Sequence, residues 1–459
     1  MIGNWRNRVM YSPAAAVVLS MLLAGMATAQ DVLSPKLNLE VAVSKALETD
    51  PQRRASETRS ELAAERINEA RTRWQPTVRF EQSLSRTNNP VGVFSSLLEQ
   101  GRFTASNFSL NSLNEPNGLN NFRSSVLVRA PILDQRQSRS QIHRAKIERN
   151  KAGLQIEEVS QKLRFDVITK YFGAILAGEL LNATVASVRS ARENARKTQD
   201  FVEVGMVAES DSLVANVELA NVEQQNLEAV SAVVRTRAAL NIAIGESPAV
   251  KYQLVGNLQE RYFQIEDEAA LIRVALEQRP DYLQAELAVE DERAKTGSIK
   301  NEKLPRLDAF GNFAYSSPFI GKGSTDYTVG LSLSYTIFDP GRKTRLVQSR
   351  LSESLAVAEK ERLEDQVTLD VITACQNYRT ARAKIQVSIK SVFQAEEALR
   401  ILQYRYRSAI STFDAVLRSE AMLLRANHEL LKAKYEYYIS YASILLATGR
   451  LTDVRAFEH

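Results

Sequence analysis

Cysteine is almost missing: Cys375 is the one thiol in 459 residues, so no internal disulfide can form. Histidine is nearly as scarce, with three residues scattered at 143, 428 and 459, which argues against a His/Cys metal centre. With 18 Gly and 12 Pro the chain has too few breakers for a collagenous or disordered protein. Charge of one sign is lacking as well. The 59 basic residues stand against 54 acidic ones, and no dense basic block interleaved with aromatics offers a nucleic-acid surface. Enzyme signatures are absent too. Gly321-Lys322-Gly323-Ser324 lacks the spacing of a phosphate loop and reads as a hairpin loop. His143 and His428 lie in charged helical segments and read as solvated. No catalytic role and no cofactor is expected.

Long apolar runs are missing after the first thirty residues, where nothing approaches the ~20 continuous apolar residues of a membrane helix. The start is different. Arg6 and Arg8 precede an apolar run from Ala14 to Met26, and Ala27-Thr28-Ala29 follows before Gln30. A basic head, a short apolar run and an A-x-A site predict a signal peptide over residues 1–29. An exported chain with no spanning helix is either water-soluble or inserted as β-strands.

What the sequence has is a duplication. Ala46-Leu47-Glu48-Thr49-Asp50-Pro51 returns as Ala275-Leu276-Glu277-Gln278-Arg279-Pro280, an offset of 229 that also separates Pro76 from Pro305. Between each pair of prolines lies a charged, Ala-rich segment of helical spacing, and beyond Pro76 and Pro305 the pattern changes to alternation. Two strands per half follow, at about 77–86 and 122–133, then 306–316 and 326–338. The cleanest is the last. Tyr327, Val329, Leu331, Leu333, Tyr335 and Ile337 alternate with Thr328, Gly330, Ser332, Ser334 and Thr336. Such alternation suits a membrane-barrel strand and equally a soluble sheet with one buried face. The first half carries a longer connection, Arg86 to Asn121, read as a loop holding a short packed helix.

Each half then runs on as helix: about 135–203 and 209–243, then about 341–407 and 412–447. About 65 helical residues reach roughly 100 Å, beyond the diameter of a globular domain. In the last helix Val416, Leu423, Leu430, Tyr437 and Ile444 recur every seven residues, beside Leu417, Leu424, Leu431, Tyr438 and Leu445. Strict sevens imply a left-handed supercoil, and two adjacent series give a seam that faces more than one neighbour. The tyrosines at 435, 437, 438 and 441 read as packing residues in that seam. The organisation expected is two repeats, 30–245 and 264–449, joined by a linker at 246–263 and ending in a tail at 450–459.

In this order the duplication, the phrase Phe338-Asp339-Pro340-Gly341-Arg342 opening a long helix, and two tip sequences resemble the TolC family of outer-membrane efflux proteins. The tips run from Phe201 through Gly205 and Asp211 to Leu213, and from Tyr404 through Ser408 and Asp414 to Val416. The resemblance implies a mostly helical fold: long coiled-coil helices forming a trimeric α-barrel tunnel, plus four strands per protomer of a shared 12-stranded barrel. It implies a homotrimer in outer-membrane lipid, with the tunnel in the periplasm. The tips would dock a periplasmic adaptor at Gly205 and Ser408, serving an inner-membrane RND or ABC transporter. Ser332, Ser334 and Thr336 would then face the lumen, and Tyr327, Val329, Leu331, Leu333 and Tyr335 the lipid.

At the tunnel entrance the family places aspartates, and Asp211 and Asp414 match that region. Three positions depart from the family pattern. Leu417 stands where a second entrance aspartate is found, Ile410 where a gate arginine is found, and Arg405 where a linking tyrosine is found. Arg405 is expected to replace that tyrosine and pair with Asp211 in the closed state. Both aspartates would alternatively serve as N-terminal helix caps. Two other readings stay open: a non-channel coiled-coil structural or adhesive protein of the envelope, and a soluble periplasmic bundle.

Overall fold

The computed structural model describes residues 35–259, 261–408 and 410–457; the expected signal peptide, 1–29, lies outside them. Each half opens on a pair of helices broken at a proline. These are α1 (Leu39–Thr49) and α2 (Pro51–Thr72), then, in the second half, α7 (Glu268–Gln278) and α8 (Pro280–Asn301). The break is built alike both times: the N–H of Asp50 closes on Ala46 O and that of Arg279 on Ala275 O. The following proline sits at the first helical position, where its missing N–H costs nothing.

The first pair is followed by the strands β2 (Thr77–Thr87) and β3 (Leu119–Asp134), with α3 (Pro90–Glu99) and α4 (Leu110–Asn114) in their connection. The second half gives β5 (Arg306–Ser317) and β6 (Ser324–Ser334). The four form one antiparallel sheet in the order β2-β3-β5-β6, unpaired along β2 and β6. Residues β1 (Lys36–Leu37) and β4 (Gln253–Leu254) make a separate parallel pair. The last strand is shorter than alternation suggests. Ser334 pairs with Arg306, and the next ladder partner would be Pro305, which has no N–H. Tyr335 and Thr336 therefore lie past the strand.

From the sheet, α5 (Gln137–Glu203, 67 residues) and α9 (Pro340–Arg407, 68 residues) run outward as single helices. Each is roughly 100 Å long at ~1.5 Å per residue. Each turns back at its tip into α6 (Glu209–Ala243) and α10 (Phe413–Ala447). The returning helix ends where the short pair is broken, so two shorter helices lie end to end along each long one. Gly245 meets Thr49, whose hydroxyl donates to Ile244 O at 3.3 Å. Gly449 meets the carbonyl of Gln278, while Arg279 reaches Ala447 O. Thr49 and Gln278 are the same position of the duplication, 229 residues apart.

The main core sits at this equator. Val167, Ile168, Tyr171 and Phe172 of α5 pack with Tyr378 of α9 and Tyr437 and Tyr438 of α10. By length and composition alone α5 is apolar enough to cross a bilayer, although Lys170 and Glu179 interrupt its apolar stretch; Val167, Ile168, Phe172 and Ile175 of that helix are buried in this core. The inter-repeat segment is part of the core, with Leu258 and Phe263 buried, and so is the chain end, through Leu451, Val454 and Phe457. The ring of Phe263 stacks on Tyr441 at 4.2 Å, and its N–H donates to the Tyr437 hydroxyl at 3.1 Å. Both heptad series of α10 are buried or half-buried from Val416 to Leu445.

Candidate functional site

The sheet separates its residues by parity. Cross-strand register puts Val78 and Phe80 of β2 beside Val126 and Val128 of β3, next to Phe313 and Gly311 of β5, and then Tyr327 and Val329 of β6. Leu331 and Leu333 continue this face. The opposite face carries Ser83, Ser125, Asn312, Thr328, Ser332 and Ser334. The apolar face is bare: Val329 is 78% and Leu331 67% exposed in the protomer. An exposed apolar face of this size marks a contact with lipid or protein.

At the far end of the helices are two tips. The first is closed by a Schellman turn, with Met206 N–H on Phe201 O and Gly205 N–H on Val202 O. Gly205 takes φ +73°, a conformation side chains resist. The second tip repeats the turn, with Ile410 N–H on Arg405 O and Ser408 at the helix end. Val204, Met206 and Ile410 project from the two turns into solvent. Behind them lies a small core of Ala195, Ala215, Phe413 and Leu417, with Tyr406 packed against it. Leu417 is thus a core residue, which explains why no acid stands there.

The aspartates are not caps. The cap positions are Ala208 and Thr412, while Asp211 and Asp414 lie in the first helical turn, where a negative charge complements the helix dipole. Asp414 pairs with Arg418 at 2.6 Å. Arg405 and Asp211 form no ion pair among the described residues. Helix phase is the reason: Tyr406 turns inward on Phe413, ring centroids 5.4 Å apart, and Arg405, one residue earlier, is exposed.

Sequence reasoning missed a half-buried carboxylate above the tips. Glu420 of α10 accepts from Asn194 Nδ2 of α5 at 3.0 Å on both oxygens, and from Ser190 Oγ at 3.3 Å. It ties the two helical hairpins together. Burial pushes its carboxyl up from the ordinary carboxylate range, partly opposed by the hydrogen bonds of Asn194 and Ser190, while the Glu218 charge adds to the rise. His428, read as solvated, is half-buried further along the same helix; burial lowers its pKa and its Nε2 has no partner. No signal in a lone glutamate on a heptad helix distinguishes it from surface charge.

A raised folded-state pKa means that the contribution of Glu420 is present below its unfolded pKa and is lost as pH rises through the folded one. The tip region should therefore be more stable in mild acid than at pH 8. Glu420→Gln is expected to flatten that dependence, read as melting temperature across the pH range. An unchanged profile would show that the contact does not titrate.

The geometry has clear relatives. The sequence model described as outer membrane efflux protein matches residues 42–246 and 271–450, both halves of the duplication. The chain is similar to the outer membrane protein TolC of Escherichia coli (strain K12), 23% identical over 463 residues that cover 95% of this chain and 86% of that one. It is similar to the alkaline protease secretion protein AprF of Pseudomonas aeruginosa, 25% identical over 307 residues, 64% of this chain and 63% of that one. In three dimensions it superimposes on the CmeC outer membrane channel of Campylobacter jejuni with a TM-score of 0.74 at 19% identity, covering 90% of this chain and 85% of that one. A family match that spans both halves of the duplication places the chain in the outer membrane efflux protein family, and its place in the cell is the outer membrane.

Proposed function

We propose that three copies of the chain build one passive exit duct across the outer membrane. The carrying observation is the four-stranded sheet, open at both edges, bare on its apolar face and joined to helices roughly 100 Å long. Unpaired strand edges are not tolerated in lipid, so the sheet closes only by pairing β6 of one copy with β2 of the next. Three copies give a barrel of twelve strands, with Ser332 and Ser334 toward water and Tyr327, Val329, Leu331 and Leu333 toward lipid. The helices continue the duct into the periplasm.

At the tips, the apolar Val204, Met206 and Ile410 beside the turns at Gly205 and Ser408 form the docking surface for a periplasmic adaptor. That adaptor links the duct to an energised inner-membrane transporter of RND or ABC type. Asp211 and Asp414 line the entrance, and in the closed assembly Arg405 pairs with Asp211 of a neighbouring copy. Cargo is selected by the transporter; the family description speaks of efflux and the AprF relative's name of secretion.

Planar-bilayer recording of the purified protein tests this reading. Discrete ion-conducting steps are expected, and Arg405→Ser should raise the open probability of the resting channel. Membranes that stay silent at any protein concentration would refute the duct.

A further inference from the structure

The connection between β2 and β3 is too well built for a slack loop. Within residues 88–118, the rings of Phe94, Phe103 and Phe108 pack edge-on, with centroids 4.8 and 5.1 Å apart along the series, which ties α3 to the rest of the segment. Asn89 caps α3 by accepting from Gly92 N–H at 3.1 Å. The corresponding connection in the second half, residues 318–323, is a plain hairpin loop.

The segment does not point away from the sheet. Arg123 of β3 pairs with Ser83 and Ser316, and Ser316 pairs with Ser324, so all four side chains lie on one face. Counting by twos along the strands, this is the face of Asn312, Thr328 and Ser332. From it, Arg123 Nη1 donates to Glu99 Oε2 at the end of α3 at 2.9 Å and to Ser316 Oγ at 3.0 Å. Its other nitrogen donates to Asp326 Oδ1 at 3.3 Å. The next residue of the loop, Gln100, is buried and donates to Asn120 O and Asn121 Oδ1 at 2.8 and 3.0 Å. Gly101 then crosses so close to Ser324 that a Cβ there would stand 3.2 Å from the serine Cβ. Beneath this contact Ala314 and Ser316 have no exposure at all.

We propose that residues 88–118 form a cap folded into the exterior mouth of the duct, clamped there by Arg123 between Glu99 and Asp326. The inference rests on the reading that the polar face of the sheet lines a lumen. If it does, a segment seated on that face, at the end of the strands remote from the helices, occupies the mouth. Each copy supplies one cap and three share the opening. The channel then has a closure at each end: helix tips on the periplasmic side and an ion-paired cap on the outer side. A clamp made of one arginine shared by two half-exposed acids is weakened by salt, so passage through the mouth responds to ionic strength outside the cell.

The test is reagent access in whole cells. Asn312→Cys puts a thiol on the polar face of β5, four residues from Ser316 toward the helices and so roughly 13 Å deeper at ~3.3 Å per residue. The native Cys375 is fully buried and gives no competing reaction. A bulky membrane-impermeant maleimide added outside should label the introduced thiol slowly in the otherwise native chain. Labelling should be at least tenfold faster when residues 90–117 are replaced by a short Gly-Ser turn, and intermediate in Arg123→Gln. Equal rates in all three backgrounds, with conducting channels in each, would overturn the cap alone. A native protein that never conducts would overturn the duct and the cap with it. Should Arg123→Gln fail to assemble, the loop replacement decides.

Discussion

Leu331→Arg is expected to abolish assembled channels, while Ser332→Arg, the adjacent residue, is expected to leave them intact. The two side chains leave the same strand on opposite faces, one among Tyr327, Val329 and Leu333, the other with Asn312 and Thr328. A guanidinium near the middle of the lipid face of a barrel costs about 2–4 kcal/mol, and in the proposed trimer that cost applies three times. On a water-filled lumen the same group keeps its hydration. Val329→Arg should behave as Leu331→Arg. The readout is the fraction of outer-membrane protein running as a heat-modifiable oligomer. Equal behaviour of Leu331→Arg and Ser332→Arg would show that the faces are assigned wrongly.

Gly449→Ala is expected to be strongly destabilising. Gly449 takes φ +71°, and a Cβ there would sit 2.7 Å from the carbonyl oxygen of Gln278, a backbone atom with no freedom to withdraw. Gly205 at the first tip has nearly the same backbone, φ +73°, but nothing within 4 Å of its would-be Cβ. Gly205→Ala therefore isolates the conformational penalty, about 1–2 kcal/mol, whereas Gly449→Ala adds displacement of the helix pair that the glycine abuts. The second variant should lose at least twice the stability of the first, measured by thermal or denaturant unfolding of the extracted protein. Similar losses would mean that the contact between the end of α10 and the break between α7 and α8 yields easily.

Much of the helical character is legible in the sequence because a long helix is defined by what is missing from it. Between Gln137 and Glu203 the chain holds no proline, and the sevenfold recurrence from Val416 to Ile444 announces a packed seam. The two-faced strands are legible for a similar reason, since period two survives in every residue of Tyr327–Leu333. Strand ends are not legible. Alternation continues through Tyr335 and Thr336, but pairing stops with the partner strand at Pro305, a constraint located 30 residues earlier. The tips show the opposite case. The residues there are recognisable from their order, yet one position along a helix turns a side chain by ~100°, so Tyr406 faces the core and Arg405 faces water. Glu420 was invisible because burial of a carboxylate depends on what the neighbouring hairpin offers, here Asn194 and Ser190 from α5. The equatorial linker was likewise opaque. Phe263 is one of three aromatics in the linker, beside Tyr252 and Tyr262, and the tyrosines of α9 and α10 make it part of the core.

One quantity bears on all of this: how many copies complete the sheet. The mass of the detergent-extracted complex, with the detergent contribution subtracted by light scattering, should correspond to three chains. It should fall to one chain only on heating or with arginine on the lipid face. Recovery of a stable single chain from the cell envelope in plain buffer would mean that the open edges of β2 and β6 need no partner, and the shared barrel would be wrong.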